Sequence, residues 1–323
     1  MSWFGKLFGF EEDGPDTVRR HIVQEGPWIK SRANGRRMRA GRLTFETVGQ
    51  MRARLGCVAR PGRIKVSEVV ADVRELHADA NNAGAVFQVA SQFNLLEMIS
   101  PEVSPEAGIT GYANDLTQGP ACAMACAAGT LYRAYLAPVS GQQGQSAERQ
   151  LDGLQALGAH LDQRGRYWDM VNGYALATEA GLSEIDQRLA RGQGAVLRDL
   201  IRVGVQEDTE VTLVASPGHL VRQVYCSAMP VAYSEQPAEA WEGFARLALE
   251  AAYEATFLAA LEAEGPLYLT LLGGGAFGNR EEWIIDAIER ALWLFAKRAL
   301  DVRVVSHGGS NPAVTGLVER WES

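Results

Sequence analysis

Four glycines fall within six positions in the run Gly273-Gly274-Gly275-Ala276-Phe277-Gly278-Asn279. Residues without a Cβ adopt positive φ freely and let a ligand touch the main chain, so successive amides can converge on an anion. The run follows an apolar segment, residues 267–272, and precedes an amphipathic one, residues 281–298. A strand feeding a helix through such a turn makes a cradle for phosphate. A tight strand-to-helix turn by itself needs one or two glycines, not four. The dinucleotide spacing G-x-G-x-x-G can be laid on Gly273, Gly275 and Gly278, but no half-domain follows to hold a second nucleotide half. Asn279 and Arg280 stand where a P-loop carries lysine and a hydroxyl residue.

A second polar loop, Asp115-Leu116-Thr117-Gln118-Gly119-Pro120-Ala121, opens a segment rich in alanine. Proline at the first helical position and exposed first-turn amides would make another anion-ready helix start, so the two loops together suit a diphosphate. Upstream, residues 95–119 lose periodicity and concentrate Glu97, Glu102, Glu106 and Asp115, which predicts a long surface loop. A pair of carboxyl groups can serve acid–base hydrolysis, one activating water while the other protonates or orients the leaving group. Carboxylates also match the planar fork of a guanidinium. Other candidates are weaker. His21, His77, His160, His219 and His307 share no metal-ligand spacing with each other or with cysteine, and no Gly-x-Ser-x-Gly elbow is present. His307, Gly308 and Asn311 follow the last apolar segment at the ligand-facing edge and read equally as a ligand border or as an ordinary polar strand-end loop.

The elements that must hold these loops alternate. An apolar stripe at Val69, Val70, Val73 and Leu76 has helical spacing and predicts a helix over residues 66–79, started by Ser67. Residues 84–91 read as a strand, as do 201–206, 211–215, 222–233, 267–272 and 302–306; residues 238–264 and 281–298 read as helices. Strand, helix, strand, helix, strand in that order predicts a three-layer α/β/α sandwich on a mixed, largely parallel sheet, with ligands beyond the carboxyl ends of the strands. Residues 1–60, punctuated by Gly14-Pro15, Gly26-Pro27 and Asn34-Gly35, read as an N-terminal extension, and residues 139–200 as a helical insertion in a domain spanning 61–323.

The 323 residues are 47% hydrophobic and 22% charged, a globular balance that excludes disorder or a coiled coil as descriptions of the chain. With 31 Lys plus Arg against 39 Asp plus Glu, the net charge of −8 argues against nucleic acid as a partner. The longest apolar stretch carries Glu250, Glu254 and Glu262, which argues against a membrane span. The early acids Glu11, Glu12 and Asp13 break any signal-peptide pattern. Cys57, Cys122, Cys126 and Cys226 are too sparse for a disulfide framework, so reduced thiols in a cytoplasm are expected.

These residues resemble the macrodomain superfamily, which binds ADP-ribose, and most of all its larger MavL-type ADP-ribosyl hydrolases. The similarity rests on the strand, glycine loop, helix and final strand of the C-terminal half. It rests further on Gln92-Phe93-Asn94-Leu95-Leu96-Glu97 and on Thr117-Gln118-Gly119-Pro120-Ala121. The usual macrodomain asparagine-alanine motif and first triple-glycine loop are absent. The resemblance implies ADP-ribose as ligand with no cofactor or metal, and an ADP-ribosylated protein as partner. It implies removal of the ADP-ribose, with arginine as the linked residue, or alternatively a reader of ADP-ribose, NAD or a related nucleotide. It further implies Asn94 on the ribose; the chemistry of the acidic loop, and not the resemblance, adds Asp115 and Glu97 as the catalytic carboxyl groups that bind the target arginine and polarise water. Gln92, Thr117, Gln118, Gly119 and residues 273–279 would then hold the ligand, with Phe277 over the distal ribose.

Overall fold

A computed structural model of the protein describes residues 1–215 and 217–322. Its frame is a seven-stranded sheet of β1 (Arg42–Thr47), β2 (Lys65–Val70), β3 (Val86–Ala90), β4 (Arg202–Glu210), β5 (Leu220–Cys226), β6 (Leu267–Leu269) and β7 (Asp301–Ser306). Their order across the sheet is β1-β4-β5-β3-β6-β7-β2. β5, β3, β6, β7 and β2 run parallel, and β4 is antiparallel to both β5 and β1. The helices that bear on the site are α1 (Trp3–Phe8), α2 (Val48–Leu55), α3 (Val73–Ala78), α4 (Gln118–Ala125), α5 (Glu242–Ala260), α6 (Glu281–Leu294) and α7 (Pro312–Glu322).

Side chains of a strand alternate between faces, and the central strands use both. Val86, Val224, Cys226, Leu267 and Leu269 enter a core shared with α2, α5, α6 and α7, whereas Phe87, Val89, Val221, Tyr225 and Tyr268 enter a core shared with α3 and α4. The molecule is thus the three-layer α/β/α sandwich with a mixed, largely parallel sheet that the alternation predicts. On the second face His77 of α3 stacks on Phe87 at 3.7 Å. Its Nδ1 lies 2.8 Å from the Val73 carbonyl, and its Nε2 lies 3.0 Å from the Gln223 amide. Burial lowers its pKa to about 4, so it packs as a neutral ring.

Several boundaries differ from the sequence reading. Residues 66–79 are not one helix: β2 precedes α3, and Asp72, rather than Ser67, caps the helix by accepting from the Arg74 amide at 2.8 Å. β-Branched Val66, Val69 and Val70 suit extended backbone, and β7 supplies a parallel partner from Asp301↔Lys65 to Ser306↔Val70. Residues 211–215 form no strand; β4 instead continues to Glu210 through an irregularity between Gln206 and Thr209. Strands β5 and β6 stop at Cys226 and Leu269, and α6 stops at Leu294, each earlier than expected.

The sheet also crosses the boundary expected near residue 60, because β1 pairs with β4 from Arg202↔Thr47 to Glu207↔Arg42. Phe4 and Phe8 of α1, both fully buried, share a further core with Leu96, Met98, Ile109, Tyr112 and Tyr135. Among the described residues no helix is long and apolar enough to cross a membrane.

Candidate active site

β3, β5 and β6 end side by side, and beyond their carboxyl ends opens a cleft of about 180 Å³, or about 760 Å³ with its mouth included. Ala90, Ser91 and Gln92 enter it from β3, Ala228 from the segment after β5, and Thr270 to Gly273 from β6. Glu97, Asp115, Thr117, Gln118 and Gly119 form one wall, and Gly275, Ala276 and Phe277 stand in the glycine loop. Two stretches far apart in the chain therefore meet where a parallel sheet leaves room for a ligand.

The glycine loop is held in shape from behind. Gly273 and Gly278 have φ of 75° and 71°, and a Cβ on Gly273 would lie 2.3 Å from that of Ala228. The Gly274 amide donates to the Leu271 carbonyl, that of Gly278 to Gly275 and that of Asn279 to Gly273. Asn279, expected to touch the ligand, is buried, and its side-chain amide donates to the Met229 carbonyl at 2.8 Å. Gly274 packs toward Ile284 and Gly278 toward Ala232, so these three residues shape the loop and do not line the cleft. The amides of Gly275, Ala276 and Phe277 donate to no acceptor among the described residues. Three successive donors without acceptors beside a cleft are groups on which an anion could be held.

On the facing wall, Asp115 accepts the Thr117 amide through Oδ1 at 2.8 Å and so sets the turn into α4. The Gln118 side chain lies against β3, donating to the Gln88 carbonyl at 2.8 Å and accepting the Ala90 amide at 2.9 Å. It is a clamp, which leaves the Gln118 and Gly119 main-chain amides as donors without an acceptor among the described residues. A Cβ on Gly119 would sit 2.0 Å from the Ala90 carbonyl and 2.3 Å from Oε2 of Glu97, so no other residue fits.

Glu97 departs most from expectation. The segment expected on the surface turns inward, and Glu97 is only 4% exposed, between Leu96 and Met98 in the core. Its Oε1 has no hydrogen-bond partner among the described residues. Burial pushes its carboxyl well above the usual range; Arg133 opposes the shift, and Asp115 adds to it. Burial thus favours the neutral acid over the carboxylate. Its main chain is fixed at several points. The Glu97 amide donates to the Tyr112 hydroxyl at 2.9 Å. Gln92 brackets Met98, accepting its amide at 2.7 Å and donating to its carbonyl at 3.1 Å. Buried Arg133, 3.5 Å over the Tyr225 ring, donates to the carbonyl of Leu95, whose φ is 64°.

Asn94 does not line the cleft. It is fully buried, accepts the Leu96 amide at 3.1 Å and donates to Gln150 at 2.8 Å, which makes it a brace for the Glu97 turn. Glu102 and Glu106 are exposed and away from the cleft. His307, Gly308 and Asn311 do not line it either; Asn311 accepts the Ala313 amide at the start of α7.

The sequence reading missed Tyr174 and Tyr233, whose ring centroids lie 5.1 Å from each other and 5.3 and 5.7 Å from that of Phe277 along the cleft. Tyr174 begins the second strand of a hairpin whose turn is Asn172-Gly173, with φ of 46° and 85°. That dipeptide is a hairpin signal in a stretch otherwise without clear pattern. The Tyr174 hydroxyl donates to the Met98 carbonyl at 2.6 Å, next to Glu97. Among the described residues no group of three or more His, Cys, Asp and Glu side chains is placed to hold a metal ion.

No protein-family model matches the chain, and no curated protein matches it. Among solved structures, it is similar to poly(ADP-ribose) glycohydrolase from Deinococcus radiodurans in complex with ADP-ribose, with 13% identity and a TM-score of 0.47. That alignment covers 86% of this chain and 93% of the other. It is also similar to poly(ADP-ribose) glycohydrolase from Thermomonospora curvata bound to the inhibitor ADP-HPD, with 13% identity, a TM-score of 0.39 and coverage of 94% and 95%.

Proposed function

We propose that the protein binds ADP-ribose in this cleft and hydrolyses it from a modified protein, with arginine as the linked residue. One observation carries the reading: a buried carboxyl group with an unengaged oxygen shares a cleft with a loop of three open amides. A diphosphate takes the amides of Gly275 to Phe277, and the open amides starting α4 add to the grip. Phe277, Tyr174 and Tyr233 offer apolar faces to a ribose. Glu97, whose burial favours the neutral acid, donates a proton to the leaving atom as the bond to the anomeric carbon breaks. Asp115 has one oxygen committed to the Thr117 amide and the other available to take the proton of the attacking water. The products are ADP-ribose with a free anomeric hydroxyl and the unmodified side chain. The rim suits a protein substrate, because Leu116 is 88% and Ile99 58% exposed beside the acids.

The test measures ADP-ribose released from a protein modified on arginine. Asp115→Asn, which keeps the oxygen that accepts the Thr117 amide, should lower the rate by about 10²- to 10⁴-fold, the usual worth of a general base, while ADP-ribose binds nearly as before by calorimetry. Release from serine- or glutamate-linked substrates alone would remove arginine from the reading. Tight binding with no release from any substrate would make the protein a reader.

A further inference from the structure

We propose that Glu12, in the N-terminal segment, is a positioning residue for both carboxyl groups of the cleft; the inference rests on the hydrolase reading above. Its half-buried carboxylate accepts the amides of Ile109, at 2.9 and 3.0 Å, and Thr110, at 2.6 Å, and the Tyr135 hydroxyl at 2.6 Å. The two amides open the 3₁₀ turn Thr110–Asn114, whose first donors have no partner of their own, so an anion belongs there. The turn bears on the chemistry at two points. Its Tyr112 accepts the Glu97 amide, and its last carbonyls end at Asp115, whose amide donates to Tyr112. Packing holds Glu12 to this task. The Trp3 indole donates to the Thr110 carbonyl at 2.9 Å, and Gly108, with φ of 83°, leaves room in which a Cβ would lie 2.6 Å from Glu12 Oε2. Glu12 touches neither cleft nor ligand; it acts by fixing where the two acids stand.

The experiment uses the full chain with Glu12→Gln, which keeps size and replaces one accepting oxygen by an amide that faces donors. Turnover on the ADP-ribosylated protein should fall about ten- to a hundredfold in kcat with KM and ADP-ribose affinity within about threefold, because only the reacting groups are misplaced. Deuterium exchange at residues 109–117 should accelerate relative to wild type while the central strands stay protected. If Glu12→Gln fails to fold, Tyr135→Phe, which removes one donor from the same carboxylate, should give a smaller change in the same direction. Wild-type kcat with unchanged exchange, or a loss confined to KM, overturns the proposal. If wild type itself releases no ADP-ribose, the hydrolase reading fails on its own, and exchange at residues 109–117 still decides whether Glu12 orders the turn.

Discussion

At Glu97 the chemistry and the stability of the fold pull in opposite directions. An acid whose folded-state pKa lies above its unfolded value contributes most to stability when both states are protonated. That contribution is complete below about pH 4.5 and is lost as pH rises toward the folded value. Glutamine has the same shape and cannot ionise. Glu97→Gln should therefore melt higher than wild type by a margin that widens as pH rises above about 4.5, while losing release of ADP-ribose. Calorimetric melting of both proteins across that range checks the sign; a margin that stays flat or reverses would mean Glu97 is ionised in the folded protein. On the proposed mechanism, wild-type turnover should decline on the alkaline side, as the buried acid loses its proton. Composition could not announce this burial. Glu97 reads as one acid among four in an unpatterned stretch, and only its neighbours Leu96 and Met98, drawn into the core, carry it inside.

The glycine loop divides into residues that build it and residues that face the cleft, and the two behave differently when changed. Gly275 has ordinary φ, and a Cβ there would meet nothing within 4 Å, so a side chain costs the fold little. Gly275→Glu should fold with a melting temperature close to wild type and bind ADP-ribose at least about a hundredfold more weakly, because it sets a carboxylate among donors meant for phosphate. Retained affinity would take the loop out of the ligand site. The loop's existence was legible from four glycines between a strand and a helix. Which of its amides stay open was not, because Asn279 and the turn's own carbonyls decide that through contacts with Ala228, Met229 and Ala232. The side chains of Gln92 and Gln118 teach the same lesson: polar residues flanking a cleft proved to be main-chain clamps.

For the molecule as a whole, the N-terminal segment belongs to the working unit. Phe4 is fully buried and meets Phe8 at 4.5 Å and Phe10 at 5.4 Å in the core that also seats Leu96, Met98 and Tyr112. Phe4→Ala should lower stability by about 3–5 kcal/mol, the usual cost of emptying a buried aromatic site. Thermal melting measures this. A change under about 1 kcal/mol, typical of a surface position, would show that the segment is a detachable tail. Elsewhere Glu254, 4% exposed, joins Arg52 of α2 at 2.5 Å to Arg290 of α6 at 3.0 Å, tying the first hundred residues to the last.

Local pattern alone determined the alternation of strands and helices, hence the layered sandwich, and the two glycine-bearing turns that a parallel sheet must place at its carboxyl edge. These follow from the periodicity of side chains and from residues without a Cβ, properties of a chain a few positions long. Tertiary structure decided what depends on distant partners. It placed β1 in the sheet through β4, converted the first half of a supposed helix into β2 beside β7, and withdrew Asn94 from the cleft. It also brought in Tyr174 from a hairpin and buried Glu97 against α4. Burial raises an acid's pKa only where many separate segments exclude water together, and no window of sequence contains them all.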